Sequence, residues 1–417
     1  MKKKLTALAL AGAMTLALLL SACGGPQTVS TDLTAGITDS GAEAVYADSA
    51  EVPGEDAAAM TGFGLDLLKQ CAGEKNVLLS PASILSALGM TANGARGETL
   101  AQLEAVFGLS VEELNAALSA CLPAEDGPFF RANAIWFNDK EGLHIEEDFL
   151  QTNADWYDAG IYAAPFDDGT CKDINQWVSD HTKGMIPEIL DNVSGDAIMY
   201  LVNALAFDGE WLSPYDPNAT TDGTFTREDG STQTVPFMHS EEYAYLAGEK
   251  ITGFIKDYKD GSYAFAALLP DEGVSIAEAL DSLNGEAMTA LLQKVSGEEV
   301  ITAMPKFTVD YDAGLEDVLP ALGVTDAFDA ALADFTGIGT SDLGNLYIGR
   351  ILHKTHMEVD ELGTKAAAAT VVEMTEGAAM EMEPPKEVIL DRPFIYMIVD
   401  RDSGLPLFLG TMMEIEG

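Results

Sequence analysis

The sequence predicts a mixed α+β fold, and three observations carry that expectation. Apolar runs at helical spacing and apolar runs of strand length are interspersed along the chain. They lack the regular alternation of a doubly wound sheet, which favours α+β over α/β. No internal repeat is present, and 47% of the 417 residues are hydrophobic, with 17 Phe, 12 Tyr and 4 Trp, enough for a large core.

Residues 1–23 read as a targeting segment rather than as fold. Lys2, Lys3 and Lys4 precede an apolar run from Leu5 to Leu20, which ends in Leu20-Ser-Ala-Cys23-Gly24. Small residues before one cysteine at the end of such a run resemble a bacterial lipobox, which places a lipidated Cys23 at the mature N-terminus. An ordinary secretory signal with a chance cysteine is the alternative. Residues 24–55 are rich in Gly, Ser, Thr, Ala and Asp, and no Lys or Arg falls between Lys4 and Lys69. This reads as a flexible acidic tether. The folded body is expected over 56–417.

Within the body, Ala57–Gln70 has helical spacing, with Met60, Phe63, Leu65, Leu67 and Leu68 apolar. Ser80 is an expected N-cap, with Pro81 at the first helical position, where its missing N–H costs nothing. Asn93-Gly94 is a turn, and Gly97–Phe107 a helix stopped by Gly108. Ala132–Phe137 and Met199–Phe207 read as buried strands, with a helix over Cys171–Leu190 between them. From there to residue 310 strands and turns dominate: Thr224–Thr226, Val235–Met238, Ser262–Pro270 and Glu299–Phe307. One helix is expected at 275–294 and another at 313–323. Two apolar strands, Arg392–Asp400 and Leu407–Met413, flank an Asp402-Ser403-Gly404 turn.

Charge narrows the function. The formal net charge is -46, from 68 acidic and 22 basic residues. Nucleic acid is excluded as a partner, because phosphate binding needs clustered Lys and Arg. Cys71, Cys121 and Cys171 follow no CxxC or metal spacing and are expected to be buried, inert thiols. The five histidines, His144, His181, His239, His353 and His356, form no HExxH pair. No nucleophile elbow, Walker loop or dinucleotide fingerprint follows a predicted strand. No enzyme chemistry, metal or cofactor is therefore expected.

The specific signal is a set of short runs in fixed order. They include Asn76-Val-Leu-Leu-Ser-Pro-Ala-Ser83, Gly94-Ala-Arg-Gly-Glu-Thr99, Ala132-Asn-Ala-Ile-Trp136 and Val202-Asn-Ala-Leu-Ala-Phe-Asp-Gly-Glu-Trp211. Met304-Pro-Lys-Phe307, His353-Lys354, Glu358-Val-Asp-Glu361, Gly363-Thr-Lys-Ala366 and Asp391-Arg-Pro-Phe394 continue the set. Together, from about residue 57 to the C-terminus, the chain resembles the serpins. The resemblance implies one domain with three β-sheets, about nine helices and an exposed reactive-centre loop, here about 361–390. It implies a monomeric suicide inhibitor whose partner is a serine protease held in a covalent acyl complex. Ser80, Ser83, Asn203 and His353 match the cluster that gates sheet opening, and Trp211 matches the place where loop insertion begins.

The loop residues fit that implication on their own terms. As a strand, one face is Thr364, Ala366, Ala368, Thr370, Val372 and Met374, small to apolar. The other is Lys365, Ala367, Ala369, Val371, Glu373 and Thr375, which carries both charges. No proline occurs before Pro384 to remove a ladder hydrogen bond, and Gly363 is expected to supply backbone freedom at a pivot that starts from Glu361. Counting forward from Gly363 by about fourteen residues, as the family does, puts the scissile bond at Gly377-Ala378. Counting back from Pro393 points nearer Met382. Glu376, Ala379 and Met380 stay open, because the loop is longer than the family pattern. Such residues suit elastase- or subtilisin-like pockets, and the absence of Arg and Lys from 366 to 385 argues against trypsin-like targets. The expectation is a secreted inhibitor lipid-anchored at the bacterial cell surface. A non-inhibitory serpin-fold surface binding protein is the alternative.

Overall fold

In the computed structural model the described residues are 30–37, 52–121, 127–139, 142–157, 159–294, 296–342, 344–364 and 385–415. They form three main sheets, a minor two-stranded pairing and nine α-helices. The helices are α1 (Gly54–Cys71), α2 (Pro81–Ala92), α3 (Gly97–Phe107), α4 (Val111–Cys121), α5 (Glu147–Tyr157), α6 (Asp168–His181), α7 (Ile276–Asp281), α8 (Gly285–Gln293) and α9 (Leu315–Leu322).

The eight-stranded central sheet organises the molecule. Its strands are β1 (Thr31–Asp32), β2 (Phe129–Asn138), β3 (Gly160–Ala164), β4 (Met199–Phe207), β5 (Gly209–Glu210), β6 (Phe307–Gly314), β7 (Arg350–Val359) and β8 (Gly363–Thr364). They run β1-β3-β2-β4-β7-β8-β5, and β6 pairs with the far side of β7. Beneath lies a six-stranded sheet that includes Tyr263–Pro270, Phe394–Asp400 and Pro406–Met412. A four-stranded sheet holds Thr221–Thr226, Thr232–Glu242, Val300–Pro305 and Lys386–Ile389.

Each face of the central sheet buries a different layer. One packs on the main core, which contains Leu201, Leu205 and Phe207 of β4 and the residues of α2. The other carries Ala132, Trp136, Tyr200 and Val202 against Ile174 and Val178 of α6, as the twofold alternation of strands requires. Helix α2 is buried along its whole length. It has no charged residue, so it can run through the core, and it brings Ser80 and Ser83 under the sheet.

Four expectations need revision. The helix foreseen over Cys171–Leu190 ends at His181. Lys183 and Gly184 take positive φ of 49° and 77°, Pro187 follows, and residues 182–190 lie as a loop pinned by Asn175. Its Oδ1 accepts from the Ile189 and Leu190 amides at 2.9 and 3.1 Å. Helix 275–294 is two helices, α7 and α8, because Asn284 recaps the chain by accepting from Ala287 N–H at 2.8 Å. Cys121 and Cys171 are buried, but Cys71 is only half-buried. Finally, residues 30–37, inside the stretch read as free tether, are docked: β1 pairs antiparallel with β3.

Candidate functional site: a strand seam and its latch

The site is the seam between β4 and β7, together with the start of the loop above it. The two strands pair in parallel from Arg350↔Tyr200 to Thr355↔Leu205. Above Thr355 that ladder stops. There, β8 enters from the top, paired antiparallel with β7 at Val359↔Thr364 and with β5 at Thr364↔Gly209 and Gly363↔Glu210. The first residues after the β7 turn therefore already occupy the head of the gap.

Polar groups cross the lower seam. His353 and Asn203 are register partners on β7 and β4. Ser83 Oγ donates to Asn203 Oδ1, and Asn203 Nδ2 donates to Asn133 Oδ1 at 2.6 Å. The Ser80 backbone N–H donates to His353 Nε2 at 3.2 Å, and Ser80 Oγ donates to Leu407 O at 2.8 Å. Thr355 Oγ1 adds a bond to Leu78 O at 2.7 Å. The N-terminus of α2 thus holds both strands from below. His353 is 1% exposed, and burial pushes its pKa down to about 3. The ring is neutral, with Nε2 accepting from Ser80, so the proton is assigned to Nδ1.

The upper seam is an aromatic latch. Trp211 stacks on Tyr258 at 4.6 Å between centroids with 9° between planes. Its indole N–H donates to Asp360 O and its backbone N–H to Leu362 O, both at 2.9 Å. Tyr258 OH meets Thr364 Oγ1 at 2.6 Å, and Thr364 is 1% exposed. Asp360 Oδ1 accepts from the Leu362 and Gly363 amides at 2.8 and 3.2 Å, which closes the turn. Glu361 bonds Lys306 Nζ at 2.7 Å and accepts from Thr220 Oγ1 at 3.1 Å. Burial alone would raise the Glu361 pKa, but these bonds hold it below the usual carboxylate value. Under Trp211 and Tyr215, Lys256 pairs with Glu242 at 2.6 Å and lies 4.3 Å from the Tyr215 ring centroid.

Gly363 is required here for a reason other than the pivot freedom expected of it. A Cβ on it would sit 2.1 Å from Gly209 O and 2.9 Å from Glu210 Cα. Close approach of two backbones, not a left-handed φ, excludes a side chain.

Ser80, Ser83, Asn203 and His353 thus come together at the lower seam, and Trp211, Glu361, Gly363 and Thr364 at the upper. Lys365, Ala366, Ala367, Ala368, Ala369 and Thr370 lie outside the described residues, as do Glu376, Gly377, Ala378, Ala379, Met380, Met382 and Cys23. Sequence reasoning missed Asn133, Tyr258 and Thr355. Asn133 had a signal, a lone amide in the apolar run Ala132–Phe137. Tyr258 had none, because its partner Thr364 is distant in the chain.

The family model described as Serpin (serine protease inhibitor) matches residues 58–415. The chain belongs to the serpin family. An uncharacterized serpin-like protein of Thermococcus kodakarensis is 32% identical over 85% of both chains. Serpin-Z2A of Oryza sativa subsp. japonica is 31% identical over 86% of this serpin and 97% of its own length. Among solved structures, the thermophilic serpin tengpin in its native state is 38% identical, with a TM-score of 0.83 over 93% of this chain and all 100% of its own. The latent state of tengpin gives a TM-score of 0.74 over 86% of this chain and 98% of its own. Serpins act in general on serine proteases, as inhibitors rather than enzymes.

Proposed function

We propose that this serpin is an irreversible, suicide-substrate inhibitor of extracellular serine proteases of elastase or subtilisin type. A monomer, it is tethered to the bacterial cell surface through a lipid on Cys23. The observation that carries the reading is the position of Gly363–Thr364 between β5 and β7, in a register that would run down the seam if extended. Extending both ladders one residue at a time brings residue 368 opposite Leu205 and Thr355, and Thr370 between Asn203 and His353. Residues 365–367 enter above the last β4–β7 pair, so the first steps break no existing ladder.

Chemically, the protease serine attacks the carbonyl of the bait bond, at Gly377-Ala378 or its neighbours between Glu376 and Met382. The leaving amine departs with the C-terminal side of the loop, and the acyl-enzyme forms on the N-terminal side. Gly363 to about Thr375 then inserts between β4 and β7 and carries the acylated protease away from the place where it bound. The alternation of the loop puts Thr364, Ala366, Ala368, Thr370, Val372 and Met374 on the face of the main core and Lys365 and Glu373 on the face of α6. Each new backbone hydrogen bond contributes about 1 kcal/mol net.

The test incubates the mature chain with pancreatic elastase, neutrophil elastase and subtilisin, followed by denaturing gels and sequencing of the released peptide. A complex that survives denaturation, with a new N-terminus within 377–383, is the expected result. Clean turnover by every protease tried sinks the inhibitory reading.

A further inference from the structure

The two edges of the central sheet are protected in different ways. On one edge, β6 carries Asp310 and Asp312 within the strand, and edge charges discourage pairing with another chain. On the other, β3 reads Gly160-Ile-Tyr-Ala-Ala164. It has neither charge nor proline, so its outer row of backbone groups is a template for a further strand. Among the described residues, that row is covered only by the N-terminal segment. Thr31 and Asp32 pair with Ala163 and Tyr162, and Leu33 N–H donates to Ile161 O at 2.8 Å. Ser30 donates to Asp173 Oδ2 of α6 from its N–H at 3.1 Å and its Oγ at 2.7 Å. Leu33 and Ile37 pack half-buried against the main core.

We propose that Ser30–Ile37 is a detachable edge guard. It fills in cis a strand-accepting edge through which two copies lacking it pair antiparallel, β3 to β3. The cover is thin: two residues in register, two half-buried apolar side chains and one hydrogen-bonded serine. Such segments open at low cost compared with the sheet they cover. The exposed partner surface is the same strand in every copy, and antiparallel pairing of identical edges satisfies a twofold axis, so the contact closes as a dimer. The inference does not rest on protease inhibition.

The test deletes residues 30–37 alone and measures mass by light scattering across a hundredfold range of concentration. The intact chain is expected to stay monomeric, and the deleted chain to shift towards twice its mass as concentration rises. An excess of a synthetic peptide of residues 28–38 is expected to return it to monomer, and so is Ala163→Lys in the deleted chain. Leu33→Asp, which removes the apolar anchor at full length, is expected to reproduce the dimer. In the deleted Ala163→Lys monomer, amide exchange over 160–164 should speed up at least tenfold relative to the intact chain. A deleted chain that remains monomeric at every concentration overturns the proposal. So does one that associates but is reversed neither by the peptide nor by Ala163→Lys, or one that becomes a monomer of higher thermal midpoint, which would place the action of the segment on the seam instead.

Discussion

Two residues set the behaviour of the seam, and each makes its own prediction. Gly363 faces the Gly209 carbonyl so closely that one methyl group, 2.1 Å away, cannot fit without moving β8. Gly363→Ala is therefore expected to dislodge the head of the loop and delay insertion. The measurable outcome is a rise of several-fold in the inhibitor consumed per protease trapped; an unchanged ratio contradicts the role given to the close approach. His353 binds its proton near pH 3 in the fold and near 6.5 when unfolded. Its folded pKa is depressed, so its contribution is constant above about 6.5. Below that the unfolded chain takes up the proton first, and stability falls by about 1.4 kcal/mol per pH unit until about pH 3. Denaturant titrations of the wild type and His353→Gln at pH 7 and 5 isolate this from the carboxylates. The wild type should lose about 2 kcal/mol more between the two pH values, and equal losses would refute the assignment. Sequence alone gave these residues their places by resemblance, but not their reasons. Glycine at 363 looked like a hinge, and only the facing backbone of β5 shows why no side chain fits.

At the scale of elements, the strands carrying even alternation or unbroken apolar character were legible, as β4 and the Phe394–Asp400 strand show. The seam strand β7 was not visible by pattern, because Arg-Ile-Leu-His-Lys-Thr-His-Met-Glu-Val mixes charges with core residues. Its two edges meet different neighbours, β4 and β8 on one side and β6 on the other. The loop after α6 was misread as helix because its apolar residues, Ile186, Ile189 and Leu190, are buried by packing on the sheet rather than by helical periodicity. The docked β1 had no pattern at all: two polar residues whose strand state is imposed by the open edge of β3. The register of β8 yields the prediction at this scale. Continued down the seam it sets Thr370 beside His353 and Asn203, so Thr370→Lys would bury an unpaired cation there, which costs several kcal/mol. Lys at 371, on the opposite face, meets the loop and helix of α6 instead and is expected to be milder. The outcome checked is the fraction of protease trapped against that released. Thr370→Lys should behave as a substrate and Val371→Lys should keep most of the trapping. Equal effects at the two positions would show that the register does not continue.

For the whole molecule, the question is where the free energy for trapping resides. The seam as it stands joins β4 to β7 directly, through six register pairs. Inserting residues 364–375 replaces that one ladder by two, a net gain on the order of ten hydrogen bonds at about 1 kcal/mol each. On the proposed mechanism, the fold is held short of a more stable arrangement by the latch at Trp211 and Thr364 and by the polar cross-ties at His353. The net charge of -46 adds self-repulsion that favours neither arrangement strongly, since insertion brings only Lys365 and Glu373 of opposite sign into the sheet. Cutting the loop between Glu376 and Met382 without a trapped protease should release the strand to insert, and the thermal midpoint should rise by roughly 10–15 °C, since an unfolding entropy of about 2.1 cal/mol/K per residue gives about 1.3 °C per kcal/mol for a body of this size. Thr364→Arg places a charge where the buried hydroxyl meets Tyr258, so its cleaved form should gain much less. Thermal melts of intact and cleaved chains, wild type and Thr364→Arg, decide the matter. A cleaved wild type that melts with the intact one would mean the loop is only a connection. A cleaved Thr364→Arg chain that gains as much as the wild type would mean that insertion does not pass through the position between β5 and β7.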